Sequence, residues 1–214
     1  GTDNGDGTWT LAEGDLSGLT ITPPADSDTD FSLNVSATAT DSNGDTATVT
    51  DSFPVDLNAV ADAPNLTANN VSGDEDTAIA LDISSTLNDL DGSESLSVVI
   101  SGFPEGASLS AGIDNGDGTY TLTQEQLDGL TLTPPADSDV DFTLNVTATA
   151  TDSNGDTATV SDSFLVDLNA VADAPSLSVS DAAGDEDTAI ALNISSGLTD
   201  TDGSETLEVV ISDV

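Results

Sequence analysis

Apolar and polar residues alternate along this chain in short runs with a period of two. Thr119-Tyr120-Thr121-Leu122-Thr123, Leu130-Thr131-Leu132-Thr133, Phe142-Thr143-Leu144-Asn145-Val146 and Ala158-Thr159-Val160 are examples. That period sends successive side chains to opposite faces of a sheet, so each run predicts a half-buried strand, and the Thr and Val content favours the same state. Further strands are predicted at 78–83, 96–101, 163–168 and 177–179, and around Leu66 as the equivalent of the last. Gly, Pro, Asn and Asp separate the runs as turn residues. The only short helical turn is predicted within 124–130. About seven strands in some 110 residues predict an all-β, antiparallel Greek-key β-sandwich.

The pattern repeats. DNGDGT at Asp3 recurs at Asp114, PPADSD at Pro23 recurs at Pro134, and DSNGDTATV at Asp41 recurs at Asp152. AVADAP at Ala59 and GDEDTAIAL at Gly73 return at Ala170 and Gly184, always 111 positions on. Across residues 1–103 and 112–214, 75 of 103 positions are identical. A period of 111 is too long for a solenoid turn and has the size of one small domain, so the chain reads as a tandem array. With the boundary at AVADAP, residues 64–174 form one complete repeat. Residues 1–63 form the C-terminal part of another, and 175–214 the opening part of a third. The chain starts without Met and is expected to be an excerpt of a longer protein. Its two outer parts lack between them only the counterpart of 104–111, so they could complete each other head to tail between molecules or else remain frayed.

Composition narrows the chemistry. The chain holds 41 Asp plus Glu, no Lys, Arg or His, and no Cys or Met, for a formal charge of −41. That inventory excludes Ser-His-Asp and Cys-His nucleophiles, Schiff-base lysines, thiolate metal sites and arginine clamps on phosphate. A polyanion is also repelled by nucleic acid and by anionic lipid, and no apolar run approaches the 18 or so residues of a membrane span. Neither nucleic acid nor membrane insertion is expected. Leu, Ile, Val and Phe make up 51 of 214 residues, above the roughly 20% below which a highly charged chain stays unfolded. A core is expected, with its carboxylates served by water, backbone N–H groups or bound metal rather than by side-chain cations.

Calcium takes six to eight oxygen ligands from carboxylates, Asn side chains, carbonyls and water. Asp26, Asp28 and Asp30, repeated as Asp137, Asp139 and Asp141, offer alternate oxygens from a loop leading into a strand. Asp152, Asn154 and Asp156 offer the same alternation around Gly155. None is an EF-hand, whose twelve-residue loop and closing Glu are absent. The same residues are ordinary turn formers, and DNGDG is read first as a hairpin turn. Strand alternation predicts that Asp89, Asp91 and Glu94 share one pole of the sandwich with 114–117, 137–141 and the exit strand bearing Asp167 and Asn169. It places 74–76 and 152–156 at the other pole, so that stacking repeats concentrates carboxylates at the joints. Trp9 and Tyr120, at equivalent positions in an alternating strand, are read as packing residues rather than a sugar-stacking platform.

Through AVADAP, GDEDTAIAL, DLDGSE and ATATDSNGDTATV, the whole chain resembles the tandem immunoglobulin-like, cadherin-like extender repeats of giant bacterial RTX adhesins. The resemblance implies type I secretion, folding on calcium outside the cell, and a place in a stalk at the bacterial surface, in adhesion and biofilm, with neighbouring repeats of the same chain as partners. By the cadherin linker analogy, AVADAP contributes Asp62 and Asp173, with Asp56, Asn58, Asp167 and Asn169 upstream and Glu75, Asp76, Glu186 and Asp187 downstream. The cadherin Asp-Asn-Asp run is not intact here. A calcium-stiffened, non-enzymatic spacer is therefore the expected function. The alternative is an adhesion module that grips carbohydrate or a host or neighbour-cell protein through its loops, against which stand the near-identity of neighbouring repeats and the single Trp and Tyr. A carboxylate-pair glycosidase is the only enzyme class the inventory leaves, and nothing in the sequence favours it.

Overall fold

The computed structural model describes residues 1–200 and 202–212. It is all-β, with two short 3-10 turns, and falls into two compact units, residues 1–59 and 60–214.

The larger unit contains strands β5 (Asn65–Asn69), β6 (Val71–Asp74), β7 (Ile79–Ala80), β8 (Asp82–Thr86), β9 (Ser95–Ser101) and β10 (Ser108–Leu109). These are followed by β11 (Ile113–Asp114), β12 (Thr119–Leu122), β13 (Thr131–Thr133), β14 (Phe142–Thr151) and β15 (Thr157–Asn169), and then by β16 (Ser176–Ser180) and β17 (Asn193–Gly197). One sheet has the order β11-β12-β9-β14-β15-β6. Facing strands form two smaller ladders, β10-β13-β7 and β5-β8. The two runs predicted at 158–160 and 163–168 are one long strand, β15, and the helical turn predicted within 124–130 is the 3-10 turn Gln124–Leu127.

Alternation decides what is buried. Along β14, Leu144, Val146, Ala148 and Ala150 are fully buried, while Thr143 and Asn145 on the opposite face are exposed. Val98 and Ile100 of β9, Leu122, Leu130 and Leu132, and Phe164 and Val166 of β15 meet them in one continuous core. Each such side chain contributes about 1.5–3 kcal/mol by leaving water. Tyr120 packs edge-on against Phe103, with ring centroids 5.1 Å apart, and so serves as a packing residue.

One pairing departs from the antiparallel expectation. β15 pairs β6 in parallel, from Val166 against Val71 to Asn169 against Asp74. β6 therefore runs toward the end of the sandwich where the chain leaves it, and carries residues 74–76 to that distal pole.

The smaller unit has β1 (Thr2–Asp3), β2 (Trp9–Thr10), β3 (Phe31–Thr40) and β4 (Thr46–Val55). Its hairpin pairs Phe31 with Val55 through Thr40 with Thr46, which is the register of Phe142 with Val166 through Thr151 with Thr157 shifted by 111. β16 and β17 likewise reproduce the β5-β8 register. The two hairpins share one register, yet Val35 is 51% exposed where its counterpart Val146 is fully buried. Sequence specifies the ladder locally, whereas burial depends on the second layer.

Candidate metal centre

Four chain segments meet at the distal pole of the complete repeat. β6 delivers Glu75 and Asp76, and the loop before β14 delivers Asp137 and Asp139. The AVADAP segment after β15 carries Asp173, and the loop after β17 carries Asp200, Asp202 and Glu205. Asp76 and Asp137 stand at φ 59° and 52°, in the left-handed region that Asp tolerates better than most residues.

Backbone hydrogen bonds fix the carboxylates in place. The Val171 N–H donates to Glu75 Oε1 at 2.7 Å, and the Asp137 N–H donates to Asp76 Oδ1 at 3.0 Å. The Asp173 N–H donates to Glu205 Oε1. In the β17 loop, Asp200 Oδ1 accepts from the Asp202 N–H at 2.9 Å and Asp202 Oδ1 from the Ser204 N–H at 2.7 Å, while the Asp139 N–H reaches Asp202 Oδ2 at 3.4 Å. Each of these bonds leaves oxygen capacity unused, and that capacity converges. One oxygen each from Glu75, Asp200 and Asp202 lie within 4.8 Å of one another, as do one each from Asp76, Asp137 and Asp173. Two oxygens on one calcium, each 2.3–2.6 Å from it, stand no more than about 5 Å apart, so both groups have the spacing of a shared ion.

Burial makes the first group more than a surface feature. Glu75 is 1% exposed and Asp200 2% exposed, and among the described residues Glu75 Oε2 and Glu205 Oε2 are buried without a hydrogen-bond partner. An unpaired buried carboxylate is costly, and a chain with no Lys, Arg or His offers it no side-chain cation. The residues present fit a hard cation that takes oxygen ligands, which is the donor chemistry of calcium.

Electrostatics agree. The Val171 N–H pulls the Glu75 pKa down, but desolvation and the charges of Asp200, Asp202 and Asp76 together outweigh it and push the carboxyl above its ordinary range. Desolvation, then Asp76, Asp173, Asp200 and Asp202, raise Asp137 as well. Asp202 is held low, chiefly by the backbone and hydroxyl of Ser204. A carboxyl raised in the folded state stabilises it below the unfolded pKa, and that contribution is lost as pH rises through the folded value; a lowered one, such as Asp202, contributes above the unfolded value near 4 and loses that contribution only as pH falls below it, outside the range from 5 to 7. In EDTA, the protein is therefore expected to melt at a higher temperature at pH 5 than at pH 7. A lower melting temperature at pH 5 would contradict this account.

The structure brings some predicted residues together and leaves others apart. Residues 74–76 and 89–94 exchange poles relative to the expectation, because β9 alone separates 89–94 from 114–117 and carries the chain from one pole to the other between them. Asp62, Asp89, Asp91 and Glu94 lie with Asp152 at the proximal pole, since Ser95 pairs Thr151. There the Asp62 N–H donates to Glu94 Oε1 at 2.6 Å, and the Asp91 N–H to Asp89 Oδ1 at 2.8 Å, as their counterparts do at the distal pole. Glu94 Oε2 and Asp152 Oδ2 are also buried without a hydrogen-bond partner among the described residues. Asp152 Oδ1 accepts three N–H bonds, from Asn154, Gly155 and Asp156, and Asn154 Oδ1 accepts from the Asp156 N–H, so DSNGD is first a self-closed turn.

Asp141 and Asp30 accept the N–H groups of Leu168 and Leu57, at 2.9 and 2.7 Å, and so pin strand ends. Asn169 donates its amide to Gly73 O and Asp74 Oδ1. Asp167 is exposed in the ladder opposite Ser72. In the smaller unit Asp26 sits at φ 55°, Asp28 is half-buried, and Asp56 and Asn58 are exposed. Glu186 and Asp187, expected at the joint beside Asp173, are exposed and belong to neither group of three; Glu75 and Asp76 of the preceding repeat stand there instead. The sequence reading missed Asp200, Asp202 and Glu205. The signal was present, because each lies 111 positions after Asp89, Asp91 and Glu94.

Among the described residues, no helix is long and apolar enough to cross a membrane. The chain matches no known protein family and no curated protein.

Proposed function

We propose that this chain is a calcium-stiffened structural extender, a stalk segment of a large bacterial surface adhesin exported to the cell exterior, in which immunoglobulin-like repeats space a distal binding region from the cell. One observation carries the reading. Buried carboxylates from both sides of AVADAP, Glu75 before it and Asp200 after it, face each other, and Glu75 Oε2 has no hydrogen-bond partner among the described residues, in a chain that has no cationic side chain. Without an ion these groups repel and push adjacent repeats apart. With one, the repulsion becomes coordination that fixes the angle between repeats. Calcium-poor cytosol would leave the joint loose, and millimolar calcium outside the cell would set it.

Small-angle scattering of the 214-residue chain tests the stiffening. Calcium is expected to sharpen the distance distribution into that of a rod, and EDTA to broaden it. Calcium binding with no change in the distribution would overturn the mechanical role, and absence of binding would overturn the whole reading.

A further inference from the structure

The proximal pole of the complete repeat holds buried carboxylates that the distal centre does not use. Ser95 against Thr151 is the last rung between β9 and β14, and the Ser95 hydroxyl adds a bond to Thr151 O at 3.2 Å. Glu94 and Asp152 are the next residues on the two segments, so they stand opposite each other just beyond that rung. Side chains so placed start about 4.5–5.5 Å apart, and like charges there repel. Leu96 and Ala150, one rung further in, pair on the core side, so alternation turns Glu94 and Asp152 inward as well. Each acid has one oxygen in use. Asp152 Oδ1 accepts the N–H groups of Asn154, Gly155 and Asp156 at 2.9, 3.0 and 3.1 Å, and Glu94 Oε1 accepts that of Asp62 at 2.6 Å. The other oxygen of each, Asp152 Oδ2 and Glu94 Oε2, is buried with no hydrogen-bond partner among the described residues. The turn therefore accounts for one half of the Asp152 carboxylate and leaves the other half unexplained.

We infer that Glu94 and Asp152, with Asp89, hold a divalent cation of their own, of the hard, oxygen-seeking kind. Asp152 is 6% exposed, and so is Asp89, at the head of the loop that ends in Glu94. A carboxylate oxygen shut away from water persists as an anion only where something neutralises it, and the chain has no Lys, Arg or His to do so. Carboxylate oxygens from two segments suit a small cation that gathers oxygen ligands, with calcium the first choice. The ion fastens the tip of the β14–β15 hairpin to the loop before β9, and through Glu94 Oε1 it reaches Asp62 where the chain enters the repeat. The distal centre joins residues from two repeats across AVADAP. This site is built by one repeat and the segment that enters it, so it stabilises the repeat itself rather than an angle between repeats, and it stands whether or not the chain is a stalk. DSNGD then does two things with one side chain: Asp152 Oδ1 closes the turn and Oδ2 faces the ion.

Equilibrium dialysis of the 214-residue chain against radioactive calcium, at physiological salt to screen loosely held counterions, counts the ions at saturation. Asp152→Asn keeps Oδ1 for the three N–H groups and Glu94→Gln keeps Oε1 for Asp62, while each removes the charge at the partnerless oxygen. Each variant is expected to bind one calcium fewer per chain than the wild type. The double variant is expected to lose one as well, because both changes empty the same site. Glu75→Gln acts at the distal centre, so its loss is expected to add to that of Asp152→Asn. A wild-type count in Asp152→Asn or in Glu94→Gln overturns the proposal and leaves the distal centre standing. So does a double variant that loses two ions, and so does a loss in Asp152→Asn that fails to add to that in Glu75→Gln, which would assign Asp152 to the distal centre. Far-UV circular dichroism in calcium confirms that each variant keeps its strands, and Glu94→Gln carries the count if Asp152→Asn does not fold.

Discussion

Adding millimolar calcium to protein stripped with EDTA is expected to raise its melting temperature by roughly 10–20 °C. A site held at 100 times its dissociation constant adds about 2.7 kcal/mol, and the two groups of three at the distal pole together add about 5. A chain of this size shifts by about 2–4 °C per kcal/mol. The rise should be specific. Magnesium demands near-octahedral geometry at 2.0–2.1 Å and sheds water reluctantly, whereas these loops offer many carboxylates at loose spacing. A magnesium effect well under half that of calcium is expected in differential scanning calorimetry. Equal melting in EDTA and calcium would mean that the clustered carboxylates are turns and solvated surface.

Glu75→Gln is expected to change sign with the ion. Gln keeps an oxygen for the Val171 N–H but removes a buried charge from beside Asp200 and Asp202. In EDTA the variant should melt a few degrees above the wild type, and its melting temperature should depend less on pH between 5 and 7. In calcium it should melt below the wild type and lose about half of the calcium-induced rise, because one of the two groups has lost its buried ligand. Crossing melting curves across the four conditions separate a ligand from a packing residue. A variant less stable than the wild type in EDTA as well would assign Glu75 a structural role only.

Much of the fold can be read directly from the chain. The alternation around Leu144 and Val146 and the turn residues between runs predict the strands and which side of each is buried, because period two ties sequence to face. The 111-residue offset shows in advance which hairpins share a register. What fails this reading is the passage from β9 to β12. The expectation puts 89–94 and 114–117 at one pole, although β9 is the one full crossing between them and sends them to opposite poles. The site inherits that error. Its residue types and most of its members are visible as Asp-rich loops, but which loops meet is a matter of topology. The missed residues Asp200, Asp202 and Glu205 come from the loop after β17, in the part of the chain that repeats only the opening of a domain.

The parallel pairing of β6 with β15 also has a mechanical meaning. The chain enters the complete repeat at the proximal pole and leaves it from β15 at the distal pole, so tension applied to its two ends would pull β6 and β15 in opposite directions along their shared ladder. Four residue pairs, from Val166 with Val71 to Asn169 with Asp74, are then loaded side by side in shear, together with the Asn169 carbonyl that accepts the Glu75 N–H at 3.1 Å. An antiparallel hairpin pulled from its open end parts one rung at a time; this clamp must release all its rungs together. Glu75 closes the ladder, so an ion that holds Glu75 would also lock the last rung of the force-bearing clasp.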